Sequence, residues 1–253
     1  MSVLELKQKI EALSPKRLIA FDVDGTLVEL TENPNLTTVP EDLLASLRKL
    51  GGREGYCVAI VTGRDEKALR RMLDFSGLWV AVEHGGLLFA PDGQHNEEQL
   101  SRDDAQRLTA FENWAQLELK RDGVELERKR TGRGVHVRKL ARDDAALAAL
   151  ILEKARHKAV QLGLHPREGR MMFEADALQH NKAAGLESIF QKLGATSVVY
   201  LGDDITDFPA LEKAMELDGL GVFISSDERS EGPGNAILQS VSEVHQLITA
   251  LLE

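Results

Sequence analysis

Short apolar runs alternate along much of the chain with amphipathic segments. The runs have the length of buried strands and cover residues 18–21, 56–61, 78–82, 197–201 and 221–224. The segments between them repeat apolar residues at helical spacing, as in Leu43, Leu44, Leu47 and Leu50 before Gly51-Gly52. Because strand and helix alternate, the pattern predicts an α/β fold built on a parallel sheet with right-handed crossovers.

The pattern changes after the turn Pro91-Asp92-Gly93. Helical segments at 103–120 and 143–161 are here combined with strand-like pieces at 124–130, 135–140, 164–168 and 171–175. The first two pieces flank Thr131-Gly132-Arg133-Gly134, which predicts a hairpin around a glycine-rich turn. We therefore expect two domains: a core from residues 1–91 and 179–253, and an inserted domain from residues 92–178.

Composition narrows the class of protein. The 253 residues are 43% hydrophobic with a formal net charge of −10, which disfavours nucleic acid or an anionic membrane as a partner. One cysteine, Cys57, cannot form a disulfide framework within the chain. No run approaches the length of a membrane span, and the first residues lack the apolar core of a signal peptide. These features lead us to expect a cytoplasmic protein.

Two acids follow the first apolar run directly. Asp22 and Asp24 come after residues 18–21, and Gly25-Thr26 then end the strand. In an open α/β sheet, ligands bind beyond the carboxyl ends of the strands, and two acids there favour a bound cation. An ordinary surface turn also suits Asp and Gly. A calcium loop of the EF-hand type does not fit, because the glycine comes too early and Asn33 replaces the bidentate glutamate.

Polar side chains also follow the other predicted strands. Thr62 and Arg64 come after the second run, and His84 comes after the third. After the fourth run come Asp203, Asp204 and Asp207, while Lys182 lies in the first turn of a helix, where the helix dipole opposes its charge. Each residue alone has an ordinary explanation, such as a helix cap for Thr62. Together they supply the groups that phosphoryl transfer requires.

The ordered set resembles the haloacid dehalogenase superfamily of phosphatases. Its motifs are Asp22-x-Asp24-Gly25-Thr26, Thr62-Gly63-Arg64, Lys182, and Gly202-Asp203-Asp204-x-x-Asp207. The resemblance implies a Rossmann-like parallel-sheet core with an inserted α/β cap domain between the second and third motifs. It extends over nearly the whole chain.

Within this superfamily the insert is similar to that of the trehalose-6-phosphate phosphatase family. That family carries Glu-x-Lys, six residues and His-x-Arg, which matches Glu127, Lys129, His136 and Arg138. A later pattern of Gly, Lys or Arg, and Glu matches Gly169, Arg170 and Glu174. One departure is Ala183, since the family usually has glycine after the motif lysine.

The resemblance implies roles for particular residues. Asp22 is expected to be the nucleophile and Asp24 the general acid and base, with Thr62 and Lys182 holding the phosphoryl oxygens. Mg²⁺ is expected on Asp22, the Asp24 backbone carbonyl and Asp203, with Asp204 and Asp207 positioning these ligands. The expected substrate contacts are Arg64, His84, Glu127, Lys129, His136, Arg138, Arg170 and Glu174.

The implied activity is Mg²⁺-dependent hydrolysis of trehalose 6-phosphate through an aspartyl-phosphate, so the expected partner is a small sugar phosphate. Other members of the superfamily act on glucosylglycerol phosphate or mannosylphosphoglycerate, or are phosphohexomutases. A sensor that binds a sugar phosphate without turnover is a further alternative. The sequence does not determine the oligomeric state.

Overall fold

The computed structural model describes residues 1–31, 37–97, 99–169, 171–225 and 232–253. The chain forms two compact units, the first from Met1–Glu97 with His180–Glu253 and the second from Glu98–Gln179. The strand at residues 95–97, which the sequence placed in the insert, therefore belongs to the first unit. Within the described ranges, no helix combines the length and apolar content that a membrane span requires.

The first unit is built on an eight-stranded sheet. Its strands are β1 (Arg17–Phe21), β2 (Tyr56–Val61), β3 (Trp79–Val82), β4 (Leu87–Phe89), β5 (His95–Glu97), β10 (Ser197–Gly202), β11 (Leu220–Ile224) and β12 (Ala236–Leu238), in the order β12-β11-β10-β1-β2-β3-β4-β5. The strands from β12 to β3 pair in parallel, and β4 and β5 add antiparallel pairs at one edge. The predicted α/β fold with a parallel-sheet core is confirmed.

Helices cover both faces of this sheet. They are α1 (Val3–Ala12), α2 (Glu41–Gly51), α3 (Glu66–Met72), α7 (Lys182–Leu193), α8 (Phe208–Glu216) and α9 (Val241–Ala250). Alternate residues of β1 enter two separate apolar clusters: Ile19 packs with residues of α1, α2 and α9, and Leu18 with residues of α7 and α8. This division explains the continuous apolar runs, because a strand covered on both faces needs apolar side chains at every position.

The second unit contains a four-stranded antiparallel sheet in the order β6-β7-β9-β8. Its strands are β6 (Glu125–Arg128), β7 (Gly132–His136), β8 (His165–Gly169) and β9 (Met172–Asp176), and its helices are α4 (Arg102–Glu118), α5 (Leu140–Asp143) and α6 (Ala145–Gln161). Val135, Phe173 and Ala175 pack with Phe111 of α4 and Ile151 of α6 in one apolar core. The alternate positions of the same strands carry polar side chains toward the opposite face.

The hairpin differs from its prediction. Residues 132–134 belong to β7 rather than to a turn, and the chain turns at residues 129–131. The glycines leave room for neighbouring carboxylates: a Cβ on Gly132 would lie 2.6 Å from Glu174 Oε1, and a Cβ on Gly134 would lie 3.1 Å from Glu127 Oε2. Since β7 ends at His136, Arg138 lies in the following turn instead of on the strand.

Candidate active site

Three strands of the first unit end side by side. In the sheet register, Phe21 at the end of β1 pairs with Leu201 of β10 and with Ile60 of β2. The residues that follow these strands therefore lie at one edge of the sheet, which places Asp22 close to Thr62 and Asp203. The ends of parallel strands are where ligands bind in open α/β sheets.

Lys182 lies between two buried carboxylates. Its Nζ atom is 3.0 Å from Asp22 Oδ1 and 2.6 Å from Asp207 Oδ1, and all three side chains are at most 6% exposed. Burial alone would lower the pKa of Lys182, but the carboxylates of Asp207 and Asp22 outweigh burial and hold the pKa above its ordinary value. The lysine therefore stays charged against Asp22.

Asp207 has further partners that hold it in place. It accepts hydrogen bonds from Tyr200 Oη at 2.5 Å and from the backbone N–H of Asp204 at 3.1 Å. Tyr200 is a buried side chain of β10 that sequence reasoning missed; its signal is a polar tip within an otherwise apolar strand. Burial, followed by the charge of Asp207, raises the pKa of Tyr200 well above its ordinary value, so it remains a hydrogen-bond donor.

Asp22, Asp203 and Asp207 form a cluster of carboxylates. They offer oxygens that lie within 4.8 Å of one another. Gly25 has φ +80°, and a Cβ there would lie 2.1 Å from Asp203 Oδ2, so this glycine leaves space for the Asp203 carboxylate. The spacing and the acid content of the cluster suit a small divalent cation, since such cations prefer oxygen ligands.

The electrostatics of the cluster also fit a cation. Asp203 Oδ1 is buried and has no hydrogen-bond partner among the described residues. Burial, followed by the charge of Asp207, raises the pKa of Asp203 to about 7. Burial raises the pKa of Asp22 well above its ordinary value, Lys182 opposes this rise, and Asp207, Asp203 and Asp24 add to it. A cation would offset this excess of negative charge.

Asp24 has a different partner from Asp22. Arg64 donates to both of its carboxylate oxygens, from Nε at 2.6 Å and from Nη2 at 2.7 Å. Arg64, expected as a substrate contact, thus forms an ion pair with the expected acid and base. Asp204 lies outside the carboxylate cluster, because its Oδ1 accepts the N–H of Ile205 at 2.8 Å and begins a short 3₁₀ turn.

The segment after β3 supports the loop after β2. Glu83 and His84 both have left-handed backbones, with φ +50° and +57°, which costs non-glycine residues of order 1–3 kcal/mol each. The His84 N–H donates to Thr62 O at 3.0 Å, and the Glu83 N–H donates to Arg64 O at 2.8 Å. Because a Cβ on Gly63 would lie 2.5 Å from the His84 ring, Gly63 allows the ring to pack against the loop.

The polar face of the second unit carries contacts between acids and bases. His136 Nε2 lies 2.9 Å from Glu127 Oε2, and Lys129 Nζ donates to Glu174 Oε2 at 2.8 Å. Burial would lower the pKa of Lys129, but Glu174 and Glu127 outweigh it and raise the pKa. The structure therefore brings these four predicted residues to one face: Glu127, His136 and Glu174 lie on β6, β7 and β9, and Lys129 directly follows β6. Of the other two, Arg138 lies in the turn after β7 and Arg170 lies outside the described residues.

A third pair on this face was not predicted. Arg167 of β8 donates to Asp176 Oδ2 at 3.1 Å. Burial raises the pKa of Asp176 to about 6, with Arg167 opposing the rise. The available signal was alternation, since Asp176 comes two residues after Glu174 and so shares its face of β9.

Comparison with known proteins identifies similar chains. The model of a family described as trehalose-phosphatase matches residues 20–242. A trehalose-phosphate phosphatase of Mycobacterium marinum is 30% identical over 242 residues, which cover 88% of this chain and 60% of the relative. An uncharacterized glycosyl hydrolase of Mycobacterium tuberculosis is 30% identical over 244 residues, covering 90% of this chain and 17% of the relative. The chain thus spans less than two thirds of these relatives.

The fold is also found in a solved structure. The C-terminal domain of the trehalose-6-phosphate phosphatase of C. albicans superposes with a TM-score of 0.84 at 17% identity. The match covers 100% of this chain and 97% of that domain. At this identity the likeness concerns the fold alone.

Proposed function

The chain belongs to the trehalose-phosphatase family, as its motifs predicted, and on this premise we propose that it hydrolyses trehalose 6-phosphate to trehalose and phosphate. The observation that carries the proposal is the arrangement at the edge of the sheet. Asp22 touches the charged Lys182 and lies beside the carboxylates of Asp203 and Asp207. A phosphoryl group placed there would meet a nucleophile and a fixed positive charge together.

In the first step of the proposed reaction, a carboxylate oxygen of Asp22 attacks phosphorus. The bond between phosphorus and the sugar oxygen breaks, and the oxygen keeps the electron pair of that bond. Asp24 then donates a proton to this oxygen. Lys182 and the hydroxyl of Thr62 bind the phosphoryl oxygens and offset their developing charge. The products are an aspartyl-phosphate on Asp22 and free trehalose.

In the second step, water attacks the phosphorus of the aspartyl-phosphate and Asp24 accepts a proton from it. The bond between phosphorus and the Asp22 oxygen breaks, which releases phosphate and restores the carboxylate. Asp24 is therefore protonated again for the next cycle. Both steps require Asp24 to point at the reacting oxygen.

Mg²⁺ is the cofactor that we propose for this site. Asp22, Asp203 and the backbone carbonyl of Asp24 would hold it, and the orphaned Asp203 Oδ1 supports this choice. When bound, the ion would offset the negative charge of the carboxylates and the phosphoryl group. Asp207 accepts hydrogen bonds from Lys182 and Tyr200 and would orient that lysine. Asp204 would hold the backbone that carries Asp203 and Asp207.

We propose that the sugar binds to the polar face of the second unit. Glu127, His136, Lys129 and Glu174 offer donors and acceptors for hydroxyl groups. As substrate contacts, Arg64, His84, Arg138 and Arg170 stay predictions from the sequence. A cytoplasmic location is also part of the proposal, because the single cysteine would stay reduced there.

A phosphate-release assay tests the proposed activity. The purified chain is assayed with trehalose 6-phosphate, glucosylglycerol phosphate, mannosylphosphoglycerate, glucose 6-phosphate and p-nitrophenyl phosphate, each with Mg²⁺ or with EDTA. We expect the highest kcat/KM with trehalose 6-phosphate and loss of turnover in EDTA. A higher kcat/KM with another sugar phosphate would identify that compound, rather than trehalose 6-phosphate, as the substrate. Tight binding without hydrolysis would instead support a sensor.

A further inference from the structure

The ion pair between Arg64 and Asp24 points to a role for Arg64 beyond contact with substrate. We propose that Arg64 is a positioning residue that aims the Asp24 carboxylate at the oxygen of the leaving group. This inference rests on the proposed function, in which Asp24 transfers the proton.

The geometry of the pair fixes an orientation. Two nitrogens of one guanidinium bind the two oxygens of one carboxylate, at 2.6 and 2.7 Å. Two parallel hydrogen bonds define the plane of the carboxylate as well as its position. Among the described residues, the Asp24 side chain accepts no hydrogen bond other than these two. With a side chain 31% exposed, Asp24 has little packing to hold it without Arg64.

The two acids of the first motif have cations of different kinds. Asp22 lies against Lys182, a point charge that can neutralise a carboxylate but does not set its plane. Asp24 lies against Arg64, whose rigid planar fork does set it. This difference matches the two proposed tasks, because a nucleophile needs its charge balanced, whereas a proton donor must be aimed at one atom.

The backbone of Arg64 is itself held in place. Its N–H donates to Thr62 Oγ1 at 3.2 Å, and its carbonyl accepts the N–H of Glu83 at 2.8 Å. The His84 ring packs against Gly63, the residue before Arg64. Two left-handed residues, Glu83 and His84, are thus maintained where they support the loop that carries Arg64. The guanidinium group of Arg64 is therefore carried by a backbone that is held in place.

Leaving-group dependence tests this role directly. Arg64→Ala, Arg64→Lys, Asp24→Asn and the double variant Arg64→Ala/Asp24→Asn are assayed with phenyl, p-nitrophenyl and 2,4-dinitrophenyl phosphates. These esters have similar size but leaving groups that need protonation to different degrees. For Arg64→Ala we expect kcat/KM to fall about 30-fold or more with phenyl phosphate and less than about threefold with 2,4-dinitrophenyl phosphate, since general acid catalysis contributes 10²–10⁴-fold.

The double variant separates positioning from other roles. If Arg64 acts through Asp24, Arg64→Ala should change kcat/KM less than about twofold in the Asp24→Asn background. Arg64→Lys keeps the charge without the fork and should show the same leaving-group dependence as Arg64→Ala. Wild-type dependence in Arg64→Lys would show that charge alone suffices and would overturn the inference.

Arg70→Ala is the matched control. Arg70 lies on α3 in an exposed pair with Glu66 at 2.8 Å, so its loss should leave the kinetics unchanged. Far-UV circular dichroism of all variants establishes that they fold. An equal loss on all three esters in folded Arg64→Ala would overturn the positioning role while leaving the proposed phosphatase intact. If the wild-type chain hydrolyses none of the esters or sugar phosphates, the proposed function itself fails.

Discussion

The two polar regions of this protein balance their charges in different ways. At the edge of the first sheet, Asp22, Asp203 and Asp207 form a cluster of three carboxylates, and Lys182 contacts two of them, Asp22 and Asp207. On the face of the second sheet, three acids each contact a base, in Glu127–His136, Lys129–Glu174 and Arg167–Asp176. Among the described residues, the first cluster therefore has more acids than bases, whereas the acids named on the second face each contact a base.

This difference suggests how each region treats a ligand. In the proposed function, a cation added to the first region would stabilise it and would also attract a phosphoryl group to the same place. The second region can exchange its hydrogen bonds for those of sugar hydroxyls without leaving a net charge buried. We therefore assign chemistry to the first region and recognition to the second, and four predictions test this division.

The largest effect is expected from Asp22→Asn. The amide keeps the size of the side chain but cannot act as the nucleophile, so phosphate release should fall by about 10⁴-fold or more. The far-UV spectrum should be unchanged. Assays with trehalose 6-phosphate and with p-nitrophenyl phosphate should show the same loss, because both share the reaction at phosphorus. Substantial turnover by this variant would contradict the assignment of the nucleophile.

Breaking one pair in the second region should mainly reduce stability. Lys129→Met removes the ammonium that donates to the buried Glu174 carboxylate, so the free energy of unfolding should fall by about 3–5 kcal/mol. Chemical denaturation measures this change.

Two other variants sharpen the stability measurement. Lys129→Met/Glu174→Leu removes both charges and should recover much of the loss. The control is Lys139→Met, because Lys139 pairs with Asp122 at the same kind of distance, 3.0 Å, but both side chains are largely exposed. An exposed pair of this kind contributes little to stability, because water screens both charges. Equal losses from Lys129→Met and Lys139→Met would contradict the buried character of the first pair.

The third prediction concerns pH. Burial raises the pKa of Asp176 to about 6, so the folded protein binds this proton more tightly than the unfolded chain does. Its contribution to stability is therefore greatest below about pH 4 and is lost as the pH rises through about 6. Relative to Asp176→Asn, the wild-type chain should lose up to about 3 kcal/mol between pH 4 and pH 7. Denaturation of both chains in EDTA at several pH values measures this, and a constant difference would contradict it.

The smallest effect is expected from Glu127→Gln. The amide replaces the charged hydrogen-bond acceptor beside His136 with a neutral one. The value of kcat/KM for trehalose 6-phosphate should therefore fall about tenfold, which corresponds to a loss of about 1.4 kcal/mol of transition-state stabilisation. The rate with p-nitrophenyl phosphate should change less than about twofold. Glu153→Gln, an exposed change on α6, is the control. Similar losses on both substrates would remove the distinction between the recognition face and the reaction site.

The sequence alone predicted five parallel strands of the first sheet, β1, β2, β3, β10 and β11, and the residues at their ends, but it did not predict β4, β5 or β12. Runs such as 18–21 and 197–201 are local signals, and the parallel arrangement then requires Asp22, Thr62 and Asp203 to reach one edge. The motif spacings were sufficient to predict the family, because they consist of particular residue types at fixed positions along the chain.

Only the tertiary structure decided which side chains become partners. Arg64 pairs with Asp24, Tyr200 with Asp207 and Arg167 with Asp176, although one pair is separated by forty positions along the chain. Likewise Gly132 was predicted in a turn, but it lies in β7, where it pairs with Asp176 of β9 and its missing Cβ leaves room for Glu174. Such choices depend on the register between strands and on burial, and neither is encoded in the local pattern of any one segment.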